Sequence, residues 1–408
     1  MKCGLLGRTL GHSYSPQIHN LLAAYEYTLI EKEPEQLDAF FTESDFQGLN
    51  VTMPYKKDVI PYCDQLTPIA QELGSVNTIV RMPDGTLLGH NTDYYGFQSM
   101  VKQSGLSLAA KKVLVLGSGG ASSTVVAVLN KLNAKPVVIS RRGENNYHNL
   151  HLHTDASVIV NTTPVGMYPN NYASPIDLNL FPCLEGVLDI VYNPARTALL
   201  QQAQQKNLIT QNGLWMLVAQ AKQSCEYFLG HAIPDERIAQ IHNILANQMK
   251  NIILIGMPGC GKSTLGQALA QQLNRKFVDC DVCVTELAGI PIRQIFATKG
   301  NDGFRALETQ CLKDLGKESG LVIATGGGCV TREENYNLLH QNGNIFWIHR
   351  EISQLPTDGR PLSQQTDLSQ MYQQRQPLYR AFCDYEISNN STLDAALEQI
   401  LAVCKEDL

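Results

Sequence analysis

The chain has 408 residues, 44% of them hydrophobic and 17% charged, with a formal net charge of −6. A charged fraction below the usual ~25% excludes a disordered chain and predicts globular domains, two to four at roughly 100–200 residues each. The acidic balance and the lack of a basic run argue against nucleic acid or a membrane surface as partner, so an anionic ligand must meet positive charge supplied locally.

From the N-terminus onward, MKCGLLGRTLGHSYS has an apolar run too short for a signal peptide. No stretch reaches the ~18 consecutive apolar residues of a membrane span. The eleven cysteines, odd in number and scattered, suit free thiols in a reducing cytoplasm. Apolar runs rich in β-branched residues then alternate with helical patterns, as in α/β folds with mainly parallel sheets. Strands are predicted at 2–7 (KCGLLG), 48–51 (GLNV), 112–117 (KVLVLG), 136–140 (PVVIS), 157–161 (SVIVN) and 186–190 (GVLDI). A helical region at 234–249 precedes further strands at 251–256 (NIILIG), 320–325 (GLVIAT) and 344–349 (NIFWIH). The main boundary is expected near residue 247, where a helix ends before a new strand.

The first chemical motif is VLVLGSGGASSTVVAVLN, a strand, a glycine turn and a helix. It fits the dinucleotide pattern G-x-G-x-x except that Ser122 replaces the third glycine, and a turn that binds nothing is the competing reading. The next strand ends in Ser140-Arg141-Arg142 with no acid before Glu144. An acid there suits a free ribose 2′-hydroxyl and Arg a 2′-phosphate, which favours NADP(H) over NAD(H).

GRTLGHSYSPQIHN, GLNVTMPYKK, GSVNTI, GHNTDYYGF, NTTPVGMYP, DIVYNPARTALL and NGLWMLVAQ together resemble shikimate dehydrogenase over about residues 1–243. The resemblance implies that Ser13, Ser15, Thr52, Asn77, Asp93, Tyr192 and Gln220 contact the substrate, with Lys56 and Asp93 as the catalytic pair. It places Gly117, Ser118, Gly119, Gly120, Ala121, Arg141, Arg142, Ile190 and Gly213 along the cofactor. Ketone reduction leaves negative charge on oxygen, so a positioned acid is needed, and a Lys ammonium oriented by a carboxylate can supply the proton. Only sixteen residues separate Arg142 from Ile159, fewer than the family usually spends there, so a trimmed cofactor lobe is expected. His12 and His19 are expected to be neighbours of the serines rather than bases.

The second motif is GMPGCGKST at 256–264, between the strand NIILIG and the helix LGQALAQQL. This is the full context of a P-loop. Gly259, Cys260, Gly261, Ser263 and Thr264 line the phosphates, Lys262 reaches the β/γ-phosphates and the Ser263 hydroxyl serves Mg²⁺. FVDCDVCV, FRALE, ATGGGCV, GRPL and RQPLYRAFCDYEI complete a series that resembles shikimate kinase over nearly all of 250–408. The resemblance implies that Asp281, Arg305, Gly327 and Arg375 hold shikimate, Arg360 touches the transferring phosphate and Asp279 helps order Mg²⁺. Asn301 stands where the family usually has Glu, and the lid, EISQLPTDGRPL, is short.

The resemblances together imply a two-lobed α/β dehydrogenase followed by a three-layer α/β P-loop kinase. The substrate lobe is expected at 1–105 with 214–245 returning to it, a Rossmann NADP lobe at 106–213 and the kinase at 250–408. The implied activities are reduction of 3-dehydroshikimate to shikimate with NADPH and phosphorylation of shikimate with ATP and Mg²⁺. An active kinase fused to an inactive shikimate-binding or scaffold module is the alternative, and a shikimate- or nucleotide-sensing regulator is a third.

Overall fold

The alternation of apolar runs and helical patterns folds into three sheets, seen in a computed structural model that describes residues 1–11, 13–355 and 368–406. The chain divides into two units. Residues Met1–Val165, Ser174–Tyr192 and Gln202–His242 form the first, and Gly166–Ala173, Asn193–Gln201 and the chain from Asn243 form the second.

The first unit opens with β1 (Lys2–Gly7), α1 (Ser15–Leu22), β2 (Glu26–Glu31), α2 (Leu37–Glu43) and β3 (Gly48–Val51). Next come β4 (Gln65–Leu66), α3 (Pro68–Leu73), β5 (Thr78–Arg81), β6 (Leu87–His90) and α4 (Asp93–Ser104). The six strands lie in the order β2-β1-β3-β5-β6-β4. β1 pairs in parallel with β2 and β3, whereas β5 is antiparallel to β3 and β6. This sheet is therefore mixed. The reason is the tight turn between β5 and β6, closed by a 2.8 Å bond from the Gly85 N–H to the Met82 carbonyl, since a connection that short can join only antiparallel strands. Every residue of β3 is buried, which is why its apolar run is legible. β2 is mostly exposed, with only Tyr27 buried, and reads as polar.

The second sheet contains β7 (Lys112–Leu116), β8 (Lys135–Ile139), β9 (Val158–Asn161), β10 (Gly186–Asp189) and β11 (Ile209–Gln211), with α5 (Gly120–Lys131) after β7. All pairs are parallel in the order β11-β10-β9-β7-β8. Between β8 and β9 the chain makes only a short 3₁₀ turn at Leu150–His153, the trimming that the residue spacing predicts. α6 (Ala198–Gln205) lies between β10 and β11, and α7 (Leu214–Leu229) and α8 (Glu236–Met249) follow β11. α7 packs closely on α4: a Cβ placed on Gly96 would lie 2.8 Å from the Met216 carbonyl and 2.9 Å from the Gln220 Cβ.

The second unit is built on β12 (Asn251–Ile255), α9 (Lys262–Leu273), β13 (Phe277–Asp279), α10 (Cys280–Ala288) and α11 (Ile292–Lys317). It continues with β14 (Val322–Ala324), α12 (Glu334–His340), β15 (Gly343–His349), α13 (Leu368–Phe382), β16 (Tyr385–Ser388) and α14 (Leu393–Glu406). The sheet is wholly parallel in the order β13-β14-β12-β15-β16. β12 is buried along its whole length, as a central parallel strand must be. α11 is two helices broken at Gly300, just before Asn301. No described helix is long and apolar enough to cross a membrane.

Candidate active sites

In the first unit the site forms where β3 and β6 end. After Val51 the Thr52 N–H bonds the Leu6 carbonyl at 2.9 Å and a turn from Thr52 to Tyr55 follows, leading into Lys56. β6 runs through Asn91 and Thr92 into α4, whose first residue is Asp93. Lys56 Nζ donates to Asp93 Oδ2 at 2.5 Å, with the two side chains 28% and 18% exposed. The pair is thus more desolvated than a surface ion pair, yet solvent still reaches the ammonium.

Asn77 is welded to this pair through the backbone. Its Oδ1 accepts the Thr92 N–H at 2.7 Å, and its Nδ2 donates to Thr92 Oγ1 at 3.0 Å. Thr92 Oγ1 in turn donates to Gln220 Oε1 at 3.3 Å. Ser13 Oγ accepts the Ser15 N–H at 3.2 Å, and the ring of Tyr14 meets Tyr192 edge-on at 6.1 Å. Burial, then the neighbouring Tyr14, pushes the Tyr192 phenol above its ordinary pKa.

Residues outside the predicted set connect these groups. Ser15 bonds Tyr27, whose hydroxyl donates to Asn50 Oδ1 at 2.8 Å. Asn50 Nδ2 reaches Ser224 Oγ at 2.8 Å, and Ser224 lies 3.1 Å from Thr92 Oγ1. The sequence signal for them is a polar residue inside an apolar strand, as Asn50 is in GLNV, because a buried amide requires partners. His19 stacks on Tyr27 at 4.0 Å, and burial pushes its pKa down to about 3, so it is a neutral packing group rather than a base. His12 lies outside the described residues.

The glycine turn after β7 has the geometry of a cradle. Gly117 has φ +105°, and a Cβ there would sit 2.9 Å from Thr162 Oγ1. Gly119 and Gly120 face open space, and α5 begins at Gly120, so the N–H groups of Ser118 to Ala121 stand at a helix start. Ser122, at the third glycine position, is buried. Arg141 and Arg142 are exposed beyond β8 and form no ion pair among the described residues. A Cβ on Gly213 would overlap the Ile190 carbonyl at 1.9 Å, so the two backbones touch.

In the second unit the loop after β12 leads into α9 at Lys262. Lys262 is 8% exposed, and its Nζ donates to the carbonyls of Gly256 at 2.9 Å and Met257 at 3.0 Å. Gly261 has φ +99°, a conformation costly to other residues, and the Cys260 carbonyl accepts from Asn389 at 2.7 Å. Gly259 also has positive φ, and Thr264 follows Ser263 in the first turn of α9. Ser263 Oγ donates to Asp279 Oδ2 at 2.6 Å, while Asp279 Oδ1 caps α10 through the Asp281 N–H at 3.0 Å. A hydroxyl beside a carboxylate is an oxygen donor set suited to a hard cation.

Gly326, Gly327 and Gly328 gather the remaining charged groups. A Cβ on Gly326 would lie 2.2 Å from Glu308 Oε1 and 3.0 Å from Asp281 Oδ1, and one on Gly328 would lie 2.1 Å from Arg305 Nη2. The Gly327 carbonyl accepts from Arg375 Nη1 at 3.1 Å and from the Tyr379 hydroxyl. The Asp281 carboxyl is held above the ordinary carboxylate range, chiefly by the protein around it and then by the Asp279 charge, against Lys262 and Arg305. Arg360 lies outside the described residues.

Arg305 Nη1 donates to Glu308 Oε2 at 2.6 Å, both groups being buried, and Glu308 Oε1 has no hydrogen-bond partner among the described residues. Glu308 was within reach of sequence reasoning, since it stands one helical turn after Arg305. Glu308→Ala is expected to destabilise the second unit by about 3–5 kcal/mol, because it leaves a guanidinium buried and unpaired. A urea midpoint within error of the parental value would rule this out.

The comparisons with known proteins follow the same division. A family model of the shikimate dehydrogenase substrate binding domain matches residues 5–79, and one of shikimate kinase matches 258–405. Over 249 residues the chain is 34% identical to the NADP(+) shikimate dehydrogenase of Caldicellulosiruptor bescii, covering 54% of this chain and 86% of that relative. The chain belongs to the shikimate dehydrogenase family. It also carries a shikimate kinase domain. A chorismate mutase/shikimate 5-dehydrogenase fusion from Clostridium acetobutylicum is similar in structure, with TM-score 0.57, 33% identity and coverage of 60% of this chain and 96% of that one. The shikimate 5-dehydrogenase of Thermus thermophilus, solved with NADP(H) and shikimate, matches with TM-score 0.54 and 28% identity over 60% of this chain and 99% of that one.

Proposed function

We propose that the chain performs two successive reactions: reduction of 3-dehydroshikimate to shikimate with NADPH, then phosphorylation of the shikimate 3-hydroxyl with ATP and Mg²⁺. What supports this reading is that Lys56 pairs with Asp93 in one unit, while in the other Lys262 lies on the loop after β12 and Asp281, Arg305 and Arg375 stand against Gly326, Gly328 and Gly327. The working boundaries are 1–105 with 214–245 for the substrate lobe, 106–213 for the cofactor lobe and 250–408 for the kinase. Eleven free thiols support a reducing compartment, and we place the chain in the cytoplasm.

In the reduction, Ser13, Ser15, Thr52, Asn77, Tyr192 and Gln220 hold the substrate carboxylate and hydroxyls. NADPH supplies the hydride when bound. Lys56 donates the proton that the carbonyl oxygen requires, and Asp93 keeps its ammonium aimed. The N–H groups of Gly117 to Ala121 suit a pyrophosphate, Arg141 and Arg142 a ribose 2′-phosphate, and Ile190 and Gly213 border the ring.

In the phosphorylation, Gly259, Cys260, Gly261 and Thr264 offer loop and helix N–H groups to phosphate, with Lys262 adding charge. Ser263 and Asp279 would hold Mg²⁺, which screens phosphate charge. Arg305, Arg375 and the Gly327 backbone orient shikimate, Arg360 neutralises charge on the transferring group, and Asp281 takes the proton of the attacking hydroxyl.

A base must be ionised to accept a proton, and the Asp281 pKa is raised. The acidic limb of kinase kcat/KM is therefore expected above the ordinary Asp value of ~3.9. A pH–rate profile reads it directly; a limb at or below that value would overturn the expectation of a raised Asp281 pKa in the working enzyme.

The overall test is one mixture of intact chain, 3-dehydroshikimate, NADPH, ATP and Mg²⁺, followed by mass spectrometry. Shikimate 3-phosphate is the expected product, shikimate the expected end point without ATP, and no conversion is expected without NADPH. If 3-dehydroshikimate persists while added shikimate is phosphorylated, the first unit is a binding module and not a reductase.

A further inference from the structure

Within the second unit, the three glycines after β14 are pressed from different sides. Gly326 faces Glu308 and Asp281, and Gly328 faces Arg305. Gly327 faces the other loop of the site: a Cβ on it would lie 2.7 Å from Cδ and 2.9 Å from the backbone nitrogen of Pro258, in GMPGCGKST. This glycine therefore stands where the groups proposed for shikimate touch the loop proposed for ATP.

The three carbonyls are held differently. The Gly326 carbonyl accepts the Cys329 N–H at 3.2 Å and the Gly328 carbonyl accepts the Thr331 N–H at 3.0 Å, so both are satisfied by the turn itself. The Gly327 carbonyl is satisfied from α13, by Arg375 Nη1 at 3.1 Å and by the Tyr379 hydroxyl. That hydroxyl also bonds the Arg375 guanidinium. Arg375 and Tyr379 are one helical turn apart and share a face of α13. Tyr379 is fully buried, and its ring stacks on Trp347 of β15, with centroids 5.8 Å apart and planes 22° apart. Trp347 is itself buried and pairs with Ile255 of β12, the strand that leads into GMPGCGKST. The core thus fixes the ring that carries this hydroxyl, whereas Arg375 is a long, half-buried side chain with many rotamers to lose.

We propose that Tyr379 is a positioning residue for phosphoryl transfer. Its hydroxyl fixes the Gly327 carbonyl and the Arg375 guanidinium together, and so sets the acceptor pocket against the loop proposed for ATP. This rests on the reading that Gly327 and Arg375 hold shikimate.

Tyr379→Phe in the full chain tests it, because the ring and its stacking on Trp347 stay and only the hydroxyl goes. ADP release is measured across shikimate and ATP concentrations. KM for shikimate is expected to rise about five- to tenfold, the scale of one lost hydrogen bond that orients a binding group. KM for ATP is expected to stay within about twofold, because GMPGCGKST keeps its own bonds, from the Cys260 N–H to the Met257 carbonyl at 3.2 Å and from Asn389 Nδ2 to the Cys260 carbonyl at 2.7 Å. A substitution that only destabilises reduces the amount of active protein, lowering apparent kcat and leaving both KM values alone. A shikimate KM within about twofold of the parental value overturns the proposal, whatever the melting temperature does. An equal rise in both KM values overturns it too, since the hydroxyl would then shape the whole unit and not the acceptor pocket. Should Tyr379→Phe not fold, Tyr379→Met keeps an apolar side chain without the hydroxyl and is read by the same criteria. A parental chain that does not phosphorylate shikimate sinks the reading of the second unit and this proposal with it, whereas parental turnover with an unshifted shikimate KM in the variant sinks this proposal alone.

Discussion

Lys56→Ala is expected to lower NADPH-dependent reduction of 3-dehydroshikimate by about 10²–10⁴-fold, the usual worth of a positioned general acid. The substitution removes the cation 2.5 Å from Asp93 and leaves the carboxylate without its partner. Asn77, Thr92 and Gln220 bond one another without Lys56, so the substrate pocket should persist and KM should change far less than kcat. Lys57→Ala is the control, because that side chain is exposed and belongs to no ion pair among the described residues. Steady-state rates on both variants decide the matter. Near-parental turnover by Lys56→Ala would remove it from the chemistry and leave Asp93 without a role as its orienting group.

Lys262→Ala is expected to lower phosphoryl transfer to shikimate by about 10²–10³-fold, the scale seen when one preorganised donor to developing charge is deleted. In the structure this ammonium rests on the carbonyls of Gly256 and Met257, at the loop where phosphates are expected. Its removal therefore takes away charge and leaves two carbonyls needing new partners, so a lower melting temperature should accompany the lost rate. NADPH oxidation should be unchanged, since the bonds of Lys262 are confined to residues 256–260. A coupled assay for ADP and an absorbance assay for NADPH on one preparation separate the two outcomes. Shikimate phosphorylation near the parental rate would overturn the P-loop reading of GMPGCGKST.

The features legible in the sequence are those whose physics is local. GMPGCGKST is flanked directly by its strand and its helix, so the strand, loop and helix lie side by side in the chain. GLNV, KVLVL and NIILI are strands covered on both faces, and continuous apolar runs betray them. The missing elements between β8 and β9 follow from counting residues, because sixteen cannot make a helix, a strand and another helix.

Other features depend on partners distant in the chain. EYTLIE becomes β2 because β1 supplies its ladder, although its own pattern is mostly exposed. Asn50 and Ser224 are 174 positions apart, and neither residue type alone announces a bond. Glu308 is visible as the i+3 neighbour of Arg305, but its free oxygen reaches the site only because β14 delivers Gly326 beside it. By itself the sequence determined the two glycine loops, the Lys56 and Asp93 motifs and the class of each half, since all are written in short contiguous stretches. Only the tertiary structure decided that Asn171 and Arg196 fold with the turn 340–343, because buried amides and a guanidinium take whichever carbonyls the packed chain brings within reach, at any separation in sequence.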